Sequence, residues 1–142
     1  MSGRVSEGRC LCGEVRVRAA GEPSHVTYCH CSDCRKASGA PTMVFAGYRA
    51  GEVEVNGEPK VYGSSPGIRR SFCGGCGTSL FYEDAERLPG EVYVAVGLFD
   101  DPGPFEPEEH SWDSRRPAWF RVHDDLPRYQ EGPPWHGHGK SS

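Results

Sequence analysis

The seven cysteines of this chain are spaced to hold metal. They fall in three groups: Cys10 and Cys12; Cys29, Cys31 and Cys34; Cys73 and Cys76. Zinc takes four tetrahedral ligands, and thiolates at about 2.3 Å suit it well. In Cys73-Gly74-Gly75-Cys76-Gly77 two intervening residues let both sulfurs face one ion. The glycines permit a tight turn and bring backbone N–H groups close to sulfur, which disperses thiolate charge. Cys10-Leu11-Cys12 is a second two-sulfur unit, and Gly13 directly after it eases the local bend. Neither pair fills a zinc alone. Together they make a closed four-thiolate structural site that ties the first strand to the middle of the chain.

Cys29-His30-Cys31-Ser32-Asp33-Cys34 brings three more thiolates within reach of one ion. Three protein ligands and an open fourth position are the pattern of catalysis or ligand capture. His30 has a ligand on each side, so its side chain is expected to turn away into a supporting or packing role. A ribbon-like partition would instead join Cys31 and Cys34 to Cys73 and Cys76, stranding Cys10, Cys12 and Cys29. The four-plus-three division leaves no orphan sulfur and is preferred. It implies two zinc ions per chain.

Composition supports metal over disulfides. An odd number of cysteines cannot pair completely, and the residues after Met1 lack the apolar core of an export signal. No run approaches the roughly 20 apolar residues that cross a bilayer. A reducing, cytoplasmic setting with no membrane association is therefore expected. The chain has 142 residues, 36% of them hydrophobic, so its core is thin and a metal would help hold it. The net charge of -4 argues against nonspecific nucleic-acid binding. Basic pairs at Arg35-Lys36, Arg69-Arg70 and Arg115-Arg116 read as surface charge unless folding brings one beside a metal.

The elements that must position these groups are mostly strands. Val15 and Val17 alternate with Glu14, Arg16 and Arg18. Val53, Val55 and Val61 flank Asn56-Gly57, a hairpin cue. Arg69 to Phe72, Ser79 to Tyr82 and Glu91 to Val96 also read as strands, the last with Val92, Val94 and Val96 on one face and Tyr93 and Ala95 on the other. A short helix follows Cys34 and ends at Gly39, and a turn spans Asp84 to Arg87. The expected organisation is a flexible N-terminus over 1–8, one zinc-binding domain over 9–129 and a tail over 130–142. The tail carries His136 and His138 flanking one glycine.

Four motifs carry a resemblance to a known family: Gly8-Arg9-Cys10-Leu11-Cys12-Gly13; Cys29 to Lys36; Gly39-Ala40-Pro41; and Phe72 to Thr78. Leu98 to Pro102, His110, Trp112, Trp119 and Leu126-Pro127 extend it. In these the chain resembles the glutathione-dependent formaldehyde-activating enzymes, whose domain is shared with the centromere protein V group. The resemblance implies a β-tent of folded antiparallel sheets with little helix. It also implies a structural zinc on Cys10, Cys12, Cys73 and Cys76, and a catalytic zinc on Cys29, Cys31 and Cys34. The activity it implies is that of a carbon–sulfur lyase of the S-(hydroxymethyl)glutathione synthase type, with a small thiol such as glutathione and an aldehyde as partners.

Within that reading the open zinc holds a thiol as thiolate, which attacks a small carbonyl. Arg35 or Lys36 either offsets the site's negative charge or caps the short helix. Phe45, Tyr48, Phe99, Trp112 and Trp119 are candidates for a pocket wall, against core packing as their default. Two other functions compete: a non-enzymatic zinc domain for protein binding, and a thiol or zinc redox sensor that releases metal on oxidation.

Overall fold

A computed structural model describes residues 3–136. Its regular elements are ten strands and one α-helix, with short 3-10 turns between some of them. They are β1 (Val5–Arg9), β2 (Arg16–Ala20), β3 (Val26–Cys29), α1 (Ser32–Ser38), β4 (Met43–Arg49), β5 (Val53–Asn56) and β6 (Lys60–Ser65). β7 (Ile68–Phe72), β8 (Ser79–Asp84), β9 (Glu91–Ala95) and β10 (Glu109–Ser111) follow. The strands form a three-stranded sheet, β1-β2-β5, and a seven-stranded sheet, β10-β3-β4-β9-β8-β7-β6. All pairings are antiparallel except β10 against β3. The architecture is mainly β, as expected, with that one parallel pair added.

The alternation in β9 explains how the layers stack. Val92 and Val94, with Val96 just beyond the strand, join Val17 and Ala19 from the small sheet and Val15 just before β2 in one apolar cluster. Tyr93 and Ala95, on the opposite face, join Phe45, Leu88 and Cys34 in a second cluster. The large sheet is thus buried on both faces at its centre. One face is covered by the small sheet. The other faces α1 and the C-terminal segment, and it carries the three-cysteine group.

The Asn56-Gly57 cue marks a turn but not a hairpin. β5 pairs with β2 and β6 with β7, so the chain changes sheets at this point. A side chain at Gly57 would meet the Glu14 carbonyl at 2.4 Å, so close packing against the turn before β2 demands glycine here. Turn chemistry is local, whereas pairing follows whichever strand shares a buried face.

The expected boundaries need correction at both ends. Residues 5–8, expected as loose, form most of β1, because Gly8 pairs with Val17 and also bridges to Phe99. Residues 130–136, expected as tail, pack against the sheet. Trp135 stacks on His25 at 4.3 Å between centroids, and its Nε1 donates to Glu109 Oε2 at 2.7 Å. A ring that buries its area and satisfies its N–H anchors this segment. Of the His136 and His138 pair, His136 is buried and His138 lies outside the described residues.

Candidate metal centres and the adjoining cavity

Cys10 and Cys12 lie in the turn between β1 and β2, and Cys73 and Cys76 in the turn between β7 and β8. The four sulfurs lie within 4.8 Å of one another. Cys10 to Cys12 is 3.6 Å and Cys12 to Cys73 is 3.7 Å. A tetrahedron with bonds of about 2.3 Å has edges of about 3.8 Å, so the donor set fits zinc. Gly13 and Gly77 follow the second cysteine of each pair at φ of 85° and 81°, the left-handed region that reverses the chain beneath the sulfurs. Val15 N–H donates to Cys10 Sγ and Gly75 N–H to Cys73 Sγ, both at 3.3 Å. Thr78 Oγ1 lies 3.2 Å from Cys76 Sγ, and this contact leads the causes that pull the Cys76 thiol down to about 5. Cys10 is also lowered, whereas in Cys12 a backbone contact from Glu14 is outweighed by desolvation and the neighbouring thiols, which push it up to about 12. A cation bound here would displace the protons that remain.

The second cluster is built where β3 runs into α1. Cys29 ends the strand, Cys31 caps the helix and Cys34 lies in its first turn. Their sulfurs also lie within 4.8 Å of one another, with Cys29 3.5 Å from Cys31 and 3.1 Å from Cys34. Ionisation concentrates on Cys31. Contacts from the Cys29 and Cys34 thiols, helped by the Cys34 N–H at 3.2 Å, pull it down to about 2. Cys29 is held well above its ordinary value by its donation to Cys31, then to Cys34. In Cys34 the contact with Cys29 is outweighed by the neighbouring Cys31 thiolate and by burial, which push it up to about 12. A cation bound here would release the protons that remain.

His30 turns away from the sulfurs and is fully buried. Its Nε2 lies 2.9 Å from His110 Nδ1, and His110 Nε2 lies 2.9 Å from Asp124 Oδ2. The carboxylate must accept, so His110 Nε2–H donates to it, and His110 Nδ1 accepts from His30 Nε2–H. Burial, then the neighbouring His110, lowers His30 to about 4, which keeps it neutral. Tyr28 stacks on His110 with centroids 4.5 Å apart. His30, His110 and Asp113 also gather within 4.8 Å. Yet the two imidazoles share a hydrogen bond, and Asp113 already accepts from Arg116 at 3.1 Å and Arg128 at 3.4 Å. This cluster is a hydrogen-bonded chain that pins the loop between Cys29 and Cys31.

The three-thiolate cluster opens into a cavity of about 110 Å³. Phe45, Tyr82, Leu88, Tyr93, Trp112 and Trp135 supply its apolar walls. Of the aromatic candidates, Phe45 and Trp112 therefore line the cavity. Tyr48 and Phe99 are core residues, and Trp119 is exposed at 70%. Arg35 and Lys36 do not line it; they occupy the last turn of α1, where positive charge complements the helix end. The cavity's inner cation is Arg70. Its Nη1 donates to Cys34 Sγ at 3.7 Å, and its guanidinium lies 5.0 Å from the Tyr82 ring centroid. Arg70 faces Tyr82 across the β7–β8 ladder, so strand register sets this stack. Sequence spacing held no signal for Arg70 beyond its place in a basic pair, and none for Asp124.

Fold and site together define a mainly β protein with two cysteine clusters able to hold metal, one closed and one open to a cavity. The family model described as "Glutathione-dependent formaldehyde-activating enzyme" matches residues 5–115, and the chain belongs to that family. An uncharacterized lyase of Schizosaccharomyces pombe is 36% identical over 76 residues, which cover 54% of this chain and 56% of that protein. A Fusarium vanettenii protein provisionally named a glutathione-dependent formaldehyde-activating enzyme is 33% identical over 107 residues, 70% of this chain and 58% of the relative. The chain thus spans less than two thirds of the length of these curated relatives. The crystal structure of a Rhodobacter sphaeroides protein shares the fold, with a TM-score of 0.54 and 24% identity over 66% of this chain and 87% of that one. Among the described residues, no helix is long and apolar enough to cross a membrane.

Proposed function

We propose that this chain is a zinc-dependent carbon–sulfur lyase acting on a thiol–aldehyde adduct such as S-hydroxymethylglutathione. The overall reaction is R–SH + CH2O ⇌ R–S–CH2–OH. In synthesis the S–C bond forms, the carbonyl π pair moves to oxygen, and the thiol proton is replaced by one on that oxygen. The observation that carries the reading is the opening of Cys29, Cys31 and Cys34, three convergent thiols, directly into a cavity. Among the described residues no fourth cysteine, histidine or carboxylate joins them.

Two zinc ions per chain fit the donor sets: Cys10, Cys12, Cys73 and Cys76 as the structural ligands, and Cys29, Cys31 and Cys34 as the catalytic ones. When bound at the open cluster, zinc supplies a position at which an incoming thiol is held as thiolate. The remaining work belongs to the protein. Phe45, Tyr93 and Trp135 exclude water around the reacting carbon. Arg70 sets a fixed positive charge beside Cys34. The chain His30–His110–Asp124 fixes the backbone that presents Cys29 and Cys31.

Two-dimensional exchange NMR of a thiol mixed with formaldehyde tests the proposal. The zinc-loaded protein is expected to speed exchange between free and hydroxymethylated thiol, and Cys34→Ser to abolish the effect. Full acceleration by Cys34→Ser, or none by the wild type with both clusters loaded, would sink it.

A further inference from the structure

We propose that Arg70 equips the open cluster to accept an anionic thiol, acting as its electrostatic anchor for a fourth, external thiolate. The inference rests on the proposed thiol chemistry and adds a residue to it. Three thiolates around a divalent ion carry a net charge of minus one. Each further thiolate entering a half-closed apolar cavity adds to that charge and loses its own hydration, and both effects oppose binding. A fixed cation at the same place reverses the balance.

Arg70 is built for this position. A guanidinium stays charged at any working pH. The cross-strand pairing with Tyr82 and the ring beneath it hold the group still. Nη1 reaches Cys34 Sγ at 3.7 Å. Nε is buried without a hydrogen-bond partner, and Arg70 lines the cavity. No carboxylate bridges to Arg70 among the described residues, whereas its neighbour Arg69 faces outward and pairs with Glu83 at 3.8 Å. Alternation along β7 therefore sends one arginine of the pair to solvent and the other to the thiolates. The other basic side chains in the lining, Arg115 and His136, come from the C-terminal part of the chain. Arg115 is exposed, with its Nη1 on Ser114 Oγ.

The test is binding without turnover. The full chain, loaded with Co2+ in both clusters, is titrated with 2-mercaptoethanol in the absence of aldehyde, and the sulfur-to-cobalt charge-transfer band is followed. The wild type is expected to saturate. In Arg70→Met and Arg70→Gln the midpoint rises roughly tenfold or more, as loss of one charge a few ångströms from the ligand requires. Arg70→Lys stays within a few-fold of wild type, a rescue by charge that a packing role would not produce. The bands of the closed cluster, unchanged in every variant, report loading and folding.

Equal midpoints in wild type and both neutral variants overturn the role of Arg70 and leave thiol capture standing. Absence of any thiol-dependent band in the loaded wild type overturns the thiol-capture reading, and this inference with it. Failure of both neutral variants to load the open cluster, while Arg70→Lys loads it, assigns Arg70 to metal retention and overturns the inference as stated.

Discussion

Arg70 Nη1 donates to Cys34 Sγ at 3.7 Å across 36 positions of sequence, and Tyr82 lies beneath the same guanidinium. The ring is therefore part of how the charge is aimed. Tyr82→Phe keeps the ring and is expected to leave thiol affinity at the open cluster unchanged. Tyr82→Leu removes about 1 kcal/mol of cation–π attraction and should weaken that affinity roughly fivefold. The cobalt titration with 2-mercaptoethanol measures both, and equal loss in the two variants would point to the hydroxyl instead.

The two clusters differ in what they join. Cys12 and Cys73 close a separation of 61 positions between two turns, whereas Cys29, Cys31 and Cys34 lie within six consecutive residues from the end of β3 to the first turn of α1. A mild chelator is expected to strip the open cluster first with little change in thermal midpoint. Removal of the second ion should then collapse the unfolding transition, since binding free energy at a closed structural site is folding free energy. Native mass spectrometry alongside a thermal melt follows both steps. Loss of both ions in one step would contradict the division.

His110 is fully buried between His30 and Asp124. His110→Ala leaves the His30 N–H without its acceptor and opens a cavity, a cost of about 3 kcal/mol in denaturant unfolding. Because the loop bearing Cys29 and Cys31 loses its anchor, metal affinity at the open cluster should fall roughly tenfold. The closed cluster is the internal control in a chelator competition. An equal loss there would mean general destabilisation.

Asp84 provides a pH-dependent contribution away from both clusters. Burial alone would raise its carboxyl. The N–H groups of Arg87 and Glu86, each at 3.1 Å, and the Arg87 guanidinium at 3.1 Å outweigh that and hold it below the usual carboxylate range. A folded-state value depressed below the unfolded one of about 3.9 stabilises the protein above that pH. The contribution is lost as pH falls through the folded value. Asp84→Asn should therefore cost about 2 kcal/mol at pH 7 and flatten the acid limb of a stability-against-pH curve below about pH 4. An unchanged acid limb would assign it to other carboxylates.

Much of the candidate site is legible in local spacing. Cys-Xaa-Cys and Cys-Xaa-Xaa-Cys set which sulfurs can share an ion, because a few bonds of backbone limit their reach. His30 was readable too, since a residue between two convergent cysteines must point elsewhere. The period-two pattern of Val92 to Val96 predicts the two faces of β9, and both turn out to be buried, in different clusters. The hairpin at Asn56-Gly57 misleads for the same local reason. Asn-Gly specifies a turn but carries no information about which strand lies alongside.

The sequence by itself determined the donor groups, their local half-sites and the strand-rich character of the chain, all consequences of short-range geometry. That Cys10 and Cys12 meet Cys73 and Cys76, 61 positions on, was decided by the fold. Only the tertiary structure decided which cation stands at the open cluster. Arg70 serves there and Arg35 does not, because β7 registers against β8 while Arg35 sits in the last turn of α1. It likewise brought His110 and Asp124 to His30, and Trp135 to the cavity wall. His30 and His110 are 80 positions apart, and no local pattern encodes a contact that exists only once β10 has docked beside β3.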